Sequence, residues 1–325
     1  MARPLRVEYE GAFYHVTTRG NERKKIFLSG RDYSRFLSKL TESLQKYEVV
    51  LHAYVLMGNH YHLIVETPHG NLSAFMQAVN SSYTTYFNLK RGRTGHLFQG
   101  RYKAIVIDAD SYLLELSRYI HLNPVRAGMV SRPEEYPYSS YRAYTTACKE
   151  SPVTCEKVFG MIARDRKKAP GLYERFVKSV LIDTAAAAAP ADPLNAVYGG
   201  MILGNDAFIK RTLERIRPEA LDDPEVSNRK ALRATTSIDD IIRMLSDYFH
   251  EPEERIVSAQ PYRSYAVYLA RQYTPCSNPE IGTRFEITYS AVTKIGARLK
   301  ERMGADRKLS GLIREIEVEL SCVKG

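Results

Sequence analysis

The sequence predicts an α+β fold for residues 1–148 and an all-α domain for residues 195–325, joined by a helical extension and linker over residues 149–194. Three observations support this. Short apolar runs alternate with helical periodicity in the first part, a Gly58-Asn59 turn separates two of these runs, and the pattern is purely helical from Ser237 onward. A chain of 325 residues is long enough for about two domains, each with its own core.

The elements of the first domain follow one another in the order β-α-β-β-α-β, with one further helix. We expect a strand over 12–18, then a helix that is capped by Asp32 and runs to about 47, then one strand on either side of Gly58-Asn59. A helix over 72–90 and a strand over 103–107 follow. The last helix of the domain is capped by Asp110 or Ser111 and stops at Asn123-Pro124. This order is that of a split βαβ, ferredoxin-like sheet.

The remainder of the chain is predicted to be helical apart from its linker. One or two short helices are expected over 151–182, and the alanine run 185–189 with its following prolines is typical of a linker. The all-α domain has five predicted helices, at 238–249, 262–273, 279–285, 289–303 and 309–320.

The charge composition points to a polyanionic partner. Lys and Arg number 47 against 37 Asp and Glu, which gives a net charge of +10 and favours nucleic acid. No apolar run approaches the roughly 20 residues of a membrane span, and no secretion signal follows Met1. The four scattered cysteines predict neither a disulfide framework nor structural zinc. We therefore expect a cytoplasmic protein.

Two histidines on one predicted strand form a candidate metal site. His60 and His62 follow the Gly58-Asn59 turn, and side chains two residues apart on a strand share a face. Two neutral imidazoles can hold a divalent metal, together with a third protein ligand and open positions for substrate oxygens. A histidine pair that binds no metal is the alternative interpretation.

A predicted helix supplies candidate partners for the histidines. Tyr119 and Asn123 are four residues apart and lie on one helix face, so that one side chain can attack while the other coordinates metal or orients the phenol. His121 points to a different face and is interpreted as structural rather than as a ligand. A core or boundary position for Tyr119 is the alternative.

A basic, acid-free stretch indicates phosphate binding. Between Thr67 and Val106 the sequence has no Asp or Glu. Its candidate DNA-binding residues combine basic groups for phosphates with aromatic rings for bases; they are Lys90, Arg91, Arg93, Phe98, Arg101, Tyr102 and Lys103, with His96 among them. A solvated basic loop is the alternative.

Four motifs in order resemble the single-tyrosine HUH transposases, specifically the branch of REP-associated tyrosine transposases. They are Tyr14-His15-Val16-Thr17-Thr18-Arg19-Gly20-Asn21, Gly58-Asn59-His60-Tyr61-His62, Leu97-Phe98-Gln99-Gly100-Arg101-Tyr102-Lys103, and Tyr119-Ile120-His121-Leu122-Asn123-Pro124-Val125-Arg126-Ala127-Gly128. The resemblance covers about residues 1–145.

This resemblance implies a metal-dependent single-stranded DNA endonuclease and strand transferase that acts on hairpin-forming repeats. By position, His60 and His62 would bind Mg²⁺ or Mn²⁺, Asn123 would be the third metal-binding side chain, and Tyr119 would be the nucleophile that forms a 5′-phosphotyrosine. Arg19 and Asn21 of the first motif are assigned to DNA binding. Many insertion-sequence relatives carry Gln at the position of Asn123 and act as dimers. Members of the REP-associated branch look like monomers, and the resemblance therefore favours a monomer.

The C-terminal domain resembles the DNA-binding domain of the replication initiator DnaA over about residues 225–305. The resemblance rests on Arg263-Ser264-Tyr265-Ala266-Val267-Tyr268-Leu269-Ala270-Arg271 and Pro279-Glu280-Ile281-Gly282, and it implies a helix-turn-helix with recognition residues from 289 to 299. The base-reading turn departs from the initiator's pattern at Thr288-Tyr289-Ser290-Ala291-Val292. Duplex binding through Arg263, Lys294 and Arg298 is therefore a hypothesis, with a packing domain as its alternative.

Two other functions stay open at this point. A domesticated, non-cleaving DNA-binding or regulatory protein could retain the same fold, and RNA hairpins would also suit a basic, aromatic surface. The joint presence of His60, His62, Tyr119 and Asn123 favours the enzyme, because a protein that only binds DNA does not need all four.

Overall fold

Apolar strands and amphipathic helices alternate along the first part of the chain, and helices dominate the second. The structure is a computed structural model that describes residues 3–4, 6–146, 151–183, 192–216, 226–227, 237–274, 276 and 278–322. Its strands are β1 (Arg3–Pro4), β2 (Ala12–Arg19), β3 (Val50–Met57), β4 (His60–Thr67), β5 (Lys103–Ile107), β6 (Ile202–Leu203) and β7 (Val226–Ser227). Its helices in the first part are α1 (Gly30–Tyr47), α2 (Leu72–Lys90), α3 (Ala109–Arg126), α4 (Tyr141–Thr145), α5 (Glu156–Ile162) and α6 (Ala169–Asp183).

The chain forms two compact units. The first comprises Arg6–Asn195 and Met201–Asn205, and the second comprises Met1–Leu5, Ala196–Gly200 and Asp206–Gly325. The predicted linker run 185–189 lies outside the described residues, as does Cys148. In the part of the chain that is described, no helix is long and apolar enough to cross a membrane.

A five-stranded sheet in the order β3-β4-β2-β5-β6 forms the centre of the first unit. The pairs are antiparallel except β5 with β6, and the predicted hairpin joins β3 to β4 at Gly58-Asn59. The mixed α and β class is therefore confirmed. The all-α prediction for residues 195–325 is wrong at β6 and β7, because strands of two residues are too short to show a period.

Helices cover both faces of the sheet. On one face Tyr61 of β4 packs against Phe36 of α1, and Phe36 packs against Tyr83 of α2. On the other face His62 of β4 contacts Tyr119 of α3. Strands buried on two faces need apolar residues at successive positions, which explains the continuous apolar runs that the sequence shows.

Several predicted helix ends differ from the structure. The N-cap of α3 is Asp108, rather than the predicted Asp110 or Ser111. Ser29, rather than Asp32, is the N-cap of α1, and the Asp32 carboxylate reaches back to the backbone nitrogens of Leu28 and Ser29 as the second half of a capping box. Helix α3 continues through Pro124 to Arg126, because a proline in the last turn interrupts little of the helical ladder. Asn123 consequently stays on the helix that carries Tyr119.

The second unit is mainly helical. Its helices are α7 (Asp206–Glu214), α8 (Ile238–Phe249), α9 (Glu253–Ser258), α10 (Tyr262–Tyr273), α11 (Asn278–Arg284), α12 (Tyr289–Ala305) and α13 (Arg307–Cys322). The turn between α11 and α12 requires a glycine: a Cβ on Gly282 would lie 2.6 Å from the carbonyl oxygen of Ile287. The Thr288 hydroxyl then caps α12 by accepting from the backbone nitrogen of Ala291 at 3.3 Å.

Candidate active site

Strand register brings the two histidines together on one face of the sheet. In the β2–β4 ladder Arg19 lies opposite His60 and Thr17 lies opposite His62. The imidazole rings of His60 and His62 are 5.1 Å apart between centroids and nearly perpendicular. Period two on a paired strand therefore fixes both rings on the face that α3 covers.

The Nδ1 atoms of both rings are already engaged. Nδ1 of His60 is 2.6 Å from Oδ1 of Asn59, while Nδ1 of His62 is 2.9 Å from Nε2 of His15 and 3.3 Å from the hydroxyl of Thr17. These contacts orient the rings and leave Nε2 of each as the atom suited to a metal. The pair of histidines therefore fits a divalent cation.

Burial keeps these imidazoles neutral. It lowers the pKa of His62 well below the usual value, helped by charge repulsion from His15 and His60. Burial also lowers the pKa of His60, with a contribution from the Arg19 charge, and it lowers the pKa of His15 to about 4. Neutral imidazole is the form that ligates a metal, so the rings are in that form at pH 7.

Helix α3 brings Tyr119 to the histidines. The centroid of the Tyr119 ring lies 6.2 Å from that of His62 and 6.4 Å from that of His15. The amide nitrogen of Asn123 donates to the backbone oxygen of Tyr119 at 3.1 Å, which leaves Oδ1 as a free acceptor. Among the described residues, no group of three or more His, Cys, Asp or Glu side chains could by itself hold a metal ion.

The Tyr119 hydroxyl lies in a mixed electrostatic environment. Burial raises its pKa, and the Asp192 carboxylate raises it further, while Arg126 and a hydrogen bond from Asn123 act in the opposite direction. The Arg126 guanidinium lies 5.0 Å from the centre of the Tyr119 ring, and Asp192 accepts from the backbone nitrogen of Leu194 at 2.9 Å. At neutral pH the phenol is therefore protonated and has to lose its proton in order to attack.

Sequence reasoning missed three residues of this site: His15, Arg126 and Asp192. His15 could have been found from the strand pairing, because its spacing of two from Thr17 places it on the face of His62. Arg126 lies within the fourth motif, beyond the predicted end of the helix. Asp192 follows the predicted linker, and no local pattern connects it to Tyr119.

His121 lies in a buried network away from the histidine pair. Its Nδ1 is 2.7 Å from the hydroxyl of Tyr173 on α6, and its Nε2 is 2.7 Å from the hydroxyl of Ser140. Ser140 also donates to the backbone oxygen of Tyr54 on β3. His121 thus connects α3 to β3 and α6.

Two of the predicted DNA-binding residues are paired with a buried acid. The side chain of Asp32 is fully buried, lies 2.9 Å from Nζ of Lys90, and also accepts from Arg91. Burial alone would raise the pKa of Asp32, but hydrogen bonds from Lys90, Leu28, Arg91 and Tyr86 hold it well below its usual range. The stretch that is acid-free in sequence therefore contacts an acid from α1 in space.

The other predicted DNA-binding residues of the first unit differ in the solvent exposure of their side chains. Arg19, Asn21, Arg93, Arg101 and Lys103 are exposed, whereas the rings of Phe98 and Tyr102 are mostly buried. The loop before β5 is tied to the end of β2 next to His60, since the backbone nitrogen of Asn21 donates to Leu97 and that of Gln99 donates to Arg19. Arg93 and Arg101 thus lie on a loop anchored beside the histidine pair, and Arg19 and Lys103 lie on the strands β2 and β5 that adjoin it.

In the second unit, Lys294 and Arg298 are exposed on α12, and Tyr289 is 66% exposed at its first turn. Arg263 is half-buried on α10, and its Nε is buried without a hydrogen-bond partner among the described residues.

Comparison with known proteins gives one family and two relatives. Residues 8–123 match the family model described as "Transposase IS200 like". A protein of Haemophilus influenzae described as a REP-associated tyrosine transposase is 25% identical over 144 residues, which cover 41% of this chain and 81% of that protein. A solved structure of a REP-associated tyrosine transposase bound to a REP hairpin has a TM-score of 0.40 and 19% identity, and covers 47% of this chain and 89% of that one.

The matched residues 8–123 hold His60, His62, Tyr119 and Asn123. The first unit of this chain is therefore similar to the IS200-like transposases, and in particular to their REP-associated tyrosine transposases.

Proposed function

We propose that the chain is a metal-dependent single-stranded DNA endonuclease and strand transferase that acts on hairpin-forming repeats. One observation carries the proposal: two neutral histidines with engaged Nδ1 atoms face a tyrosine whose ring centroid lies 6.2 Å from that of His62. The similarity of residues 8–123 to IS200-like transposases supports the same reaction. The REP-associated relative supports repeats as the substrate.

The metal, Mg²⁺ or Mn²⁺, would be held by His60, His62 and Asn123. When bound, it would polarise the scissile phosphate and stabilise the negative charge that develops there. The Tyr119 oxygen attacks phosphorus in line and forms the new P–O bond, while the bond to the 3′ oxygen breaks. The products are a 5′-phosphotyrosine and a 3′ oxygen, which takes a proton from solvent to become a free 3′-hydroxyl. Attack by a second 3′-hydroxyl, which gives its proton to solvent, reverses the step and joins strands.

Attack requires the Tyr119 proton to leave. Asp192 is the acid whose charge acts on this hydroxyl, and a carboxylate in that position can accept the proton. Arg126 over the ring favours the resulting negative charge. In the reverse step, the same carboxylate returns the proton to the tyrosine oxygen as it leaves phosphorus.

We also propose a specific fold for each of the two units. The strand order β3-β4-β2-β5 supports a ferredoxin-like split βαβ arrangement for an HUH nuclease domain. The tight turn at Gly282 before α12 supports a helix-turn-helix in the second unit, with Lys294 and Arg298 facing duplex DNA. We infer a monomer acting in the bacterial cytoplasm.

A covalent-adduct assay tests this function. The full chain is incubated with Mn²⁺ and a single-stranded hairpin DNA that is labelled at either the 3′ or the 5′ end. The 3′ label is expected in an SDS-resistant adduct and the 5′ label in a released fragment, because a 5′-phosphotyrosine retains the downstream strand. Tyr119→Phe should abolish the adduct, while the matched α3 variant Tyr112→Phe should retain it.

The same assay separates the alternative functions. Binding of hairpin DNA without an adduct would favour the non-cleaving DNA-binding protein, and tighter binding of the matching RNA hairpin would favour an RNA partner. An adduct that persists in Tyr119→Phe would overturn the assignment of the nucleophile.

A further inference from the structure

A row of side chains crosses the sheet beside the candidate metal site. In the β2–β4 ladder Arg19 lies directly opposite His60. The loop before β5 continues this row on the other side of β2, where Gly20 pairs with Phe98 in an antiparallel bridge. Next to that bridge the backbone nitrogen of Gln99 donates to the carbonyl oxygen of Arg19 at 2.8 Å. Residues directly opposite one another on antiparallel strands have Cβ atoms about 4.5–5.5 Å apart, so Gln99, Arg19 and His60 are neighbours.

Gln99 lies on the face of the sheet that carries the histidine pair. The ring of the preceding residue, Phe98, is nearly perpendicular to that of Tyr61, with 6.2 Å between the centroids. Tyr61 lies on the opposite face, where it packs against α1. Successive side chains of a paired, extended segment alternate between the two faces, so the Gln99 side chain lies on the face of His60.

The Arg19 side chain lies on the same face. Two residues before it on β2, the Thr17 hydroxyl is 3.3 Å from Nδ1 of His62, and residues two apart on a strand share a face. Burial lowers the pKa of His60, and the Arg19 charge lowers it further. The guanidinium is therefore close to the His60 imidazole in space as well as in register.

Neither of these side chains is occupied within the protein. Arg19 and Gln99 are both exposed, and neither side chain has a hydrogen bond or an ion pair to another residue that the structure describes. By contrast, Lys90 and Arg91 are compensated by the buried Asp32. Arg19 thus keeps its positive charge uncompensated beside two histidines that fit a metal cation.

Two cations on one face of the sheet are stable together when an anion lies between them. A divalent metal at the histidine pair and the Arg19 guanidinium repel each other unless a negatively charged group with acceptor atoms is within reach of both. A phosphate diester offers such atoms in its nonbridging oxygens. Guanidinium groups bind phosphate oxygens with directional N–H donors, and the Gln99 amide adds further N–H donors beside it.

We propose that Arg19 and Gln99 hold a nonbridging oxygen of the scissile phosphate and stabilise the negative charge that develops on it when Tyr119 attacks. Attack by the tyrosine oxygen adds negative charge to the phosphate oxygens, and donors that are already in place stabilise such developing charge strongly. The bonds that form and break are those of the proposed reaction. The inference rests on the proposed function and gives Arg19 and Gln99 a catalytic role within it.

The rate of adduct formation is the first test. With Mn²⁺ and saturating protein, Arg19→Gln should slow formation of the adduct about 100- to 1,000-fold, and Gln99→Ala about tenfold. The matched variants Arg31→Gln and Gln45→Ala should keep the wild-type rate, because both residues are exposed on α1, which packs on the other face of the sheet. The length of the released 5′ fragment locates the scissile phosphate.

Binding of a neutral phosphate analogue tests the contact itself, without metal and without cleavage. Tyr119→Phe protein in EDTA is titrated, by fluorescence anisotropy, against two labelled hairpins. One is unmodified, and the other carries a methylphosphonate at the scissile position, where a methyl group replaces a charged oxygen. The unmodified hairpin should bind about tenfold more tightly, because a hydrogen bond between charged groups is lost in the analogue.

Adding Arg19→Gln to the Tyr119→Phe protein should bring the two affinities within about twofold of each other, since the charge and its partner form a double-mutant cycle. Adding Arg31→Gln instead should keep the tenfold difference. A purely structural role of Arg19 would weaken the binding of both hairpins equally and leave their ratio unchanged.

Two results would overturn the inference: a wild-type adduct rate in Arg19→Gln, or an undiminished preference for the charged phosphate when Arg19→Gln is added to Tyr119→Phe. A wild-type rate in Gln99→Ala would remove Gln99 from the contact. If the wild-type protein forms the adduct, these results leave the nuclease standing and remove only the phosphate contact. If it forms no adduct, the proposed function and this inference both fail.

Discussion

The Nε2 atom of His15 lies 2.9 Å from the Nδ1 atom of His62, so one of these two rings donates and the other accepts. If Nε2 of His62 is to offer its lone pair to a metal, the His62 proton sits on Nδ1 and points at His15. The His15 proton then sits on its own Nδ1, which is buried and has no hydrogen-bond partner in the described part of the chain. Metal binding and the protonation pattern of His15 are therefore coupled.

His15→Phe is expected to weaken Mn²⁺ binding about 10- to 100-fold, because losing a partner that orients a metal ligand typically has that effect. Phenylalanine keeps the stacked ring, whose centroid is 5.1 Å from that of His62, and removes only the hydrogen bond. Titration of Mn²⁺ by electron paramagnetic resonance measures the change without any DNA. His52→Phe, at a buried histidine bonded to Glu66 instead, should leave the affinity unaltered. Equal affinities in both variants would contradict the role of His15.

Asp192→Asn should lower the rate of adduct formation about 100-fold at pH 7, because the proton acceptor is lost. The same change removes a negative charge that raises the pKa of Tyr119. Ionised tyrosine is therefore more abundant in the variant at alkaline pH, and the deficit should shrink as the pH is raised. A pH–rate profile measures both effects, with Asp110→Asn on α3 as the control. A deficit that stays constant across pH would exclude Asp192 as the base.

His121 should make the protein less stable in acid. Burial lowers its pKa to about 3, so between that value and the ordinary pKa of about 6.5 the unfolded chain binds a proton that the folded chain does not. Stability is then fully present above the ordinary pKa and is lost as pH falls through this window. One such group contributes a slope of about 1.4 kcal/mol per pH unit to the free energy of unfolding.

Urea unfolding at several pH values measures the sign and the size of this pH slope in the free energy of unfolding. His121→Gln should reduce the slope by about one proton between pH 6 and 4, whatever its effect on absolute stability. A slope that is equal in the wild type and in His121→Gln would show that the buried network does not keep this imidazole neutral.

Local patterns were enough to predict most elements, and they singled out His60, His62 and Tyr119, whose side chains the structure brings together. The β3–β4 hairpin and α2 have the predicted bounds because their turn residues and periodicity are contained in short windows. The contacts of Asp192 with Tyr119 and of Asp32 with Arg91 could not be predicted, since they join residues distant in sequence through tertiary packing. The two-residue strand β6 has too few residues for any periodicity to emerge.

The predicted DNA-binding residues Arg91 and Lys103 should behave differently when neutralised, because only Arg91 is paired with the buried Asp32. Arg91→Gln removes part of the charge that compensates Asp32 and should lower the free energy of unfolding by about 2–3 kcal/mol. Lys103 is exposed, so Lys103→Gln should change stability by less than about 0.5 kcal/mol. If Lys103 contacts a phosphate, the slope of log affinity against log salt should fall by about 1. Urea unfolding measures the change in stability, and salt titrations of hairpin binding measure the slope. If Arg91→Gln reduced the salt slope and left stability unchanged, Arg91 would be the phosphate contact rather than the partner of Asp32.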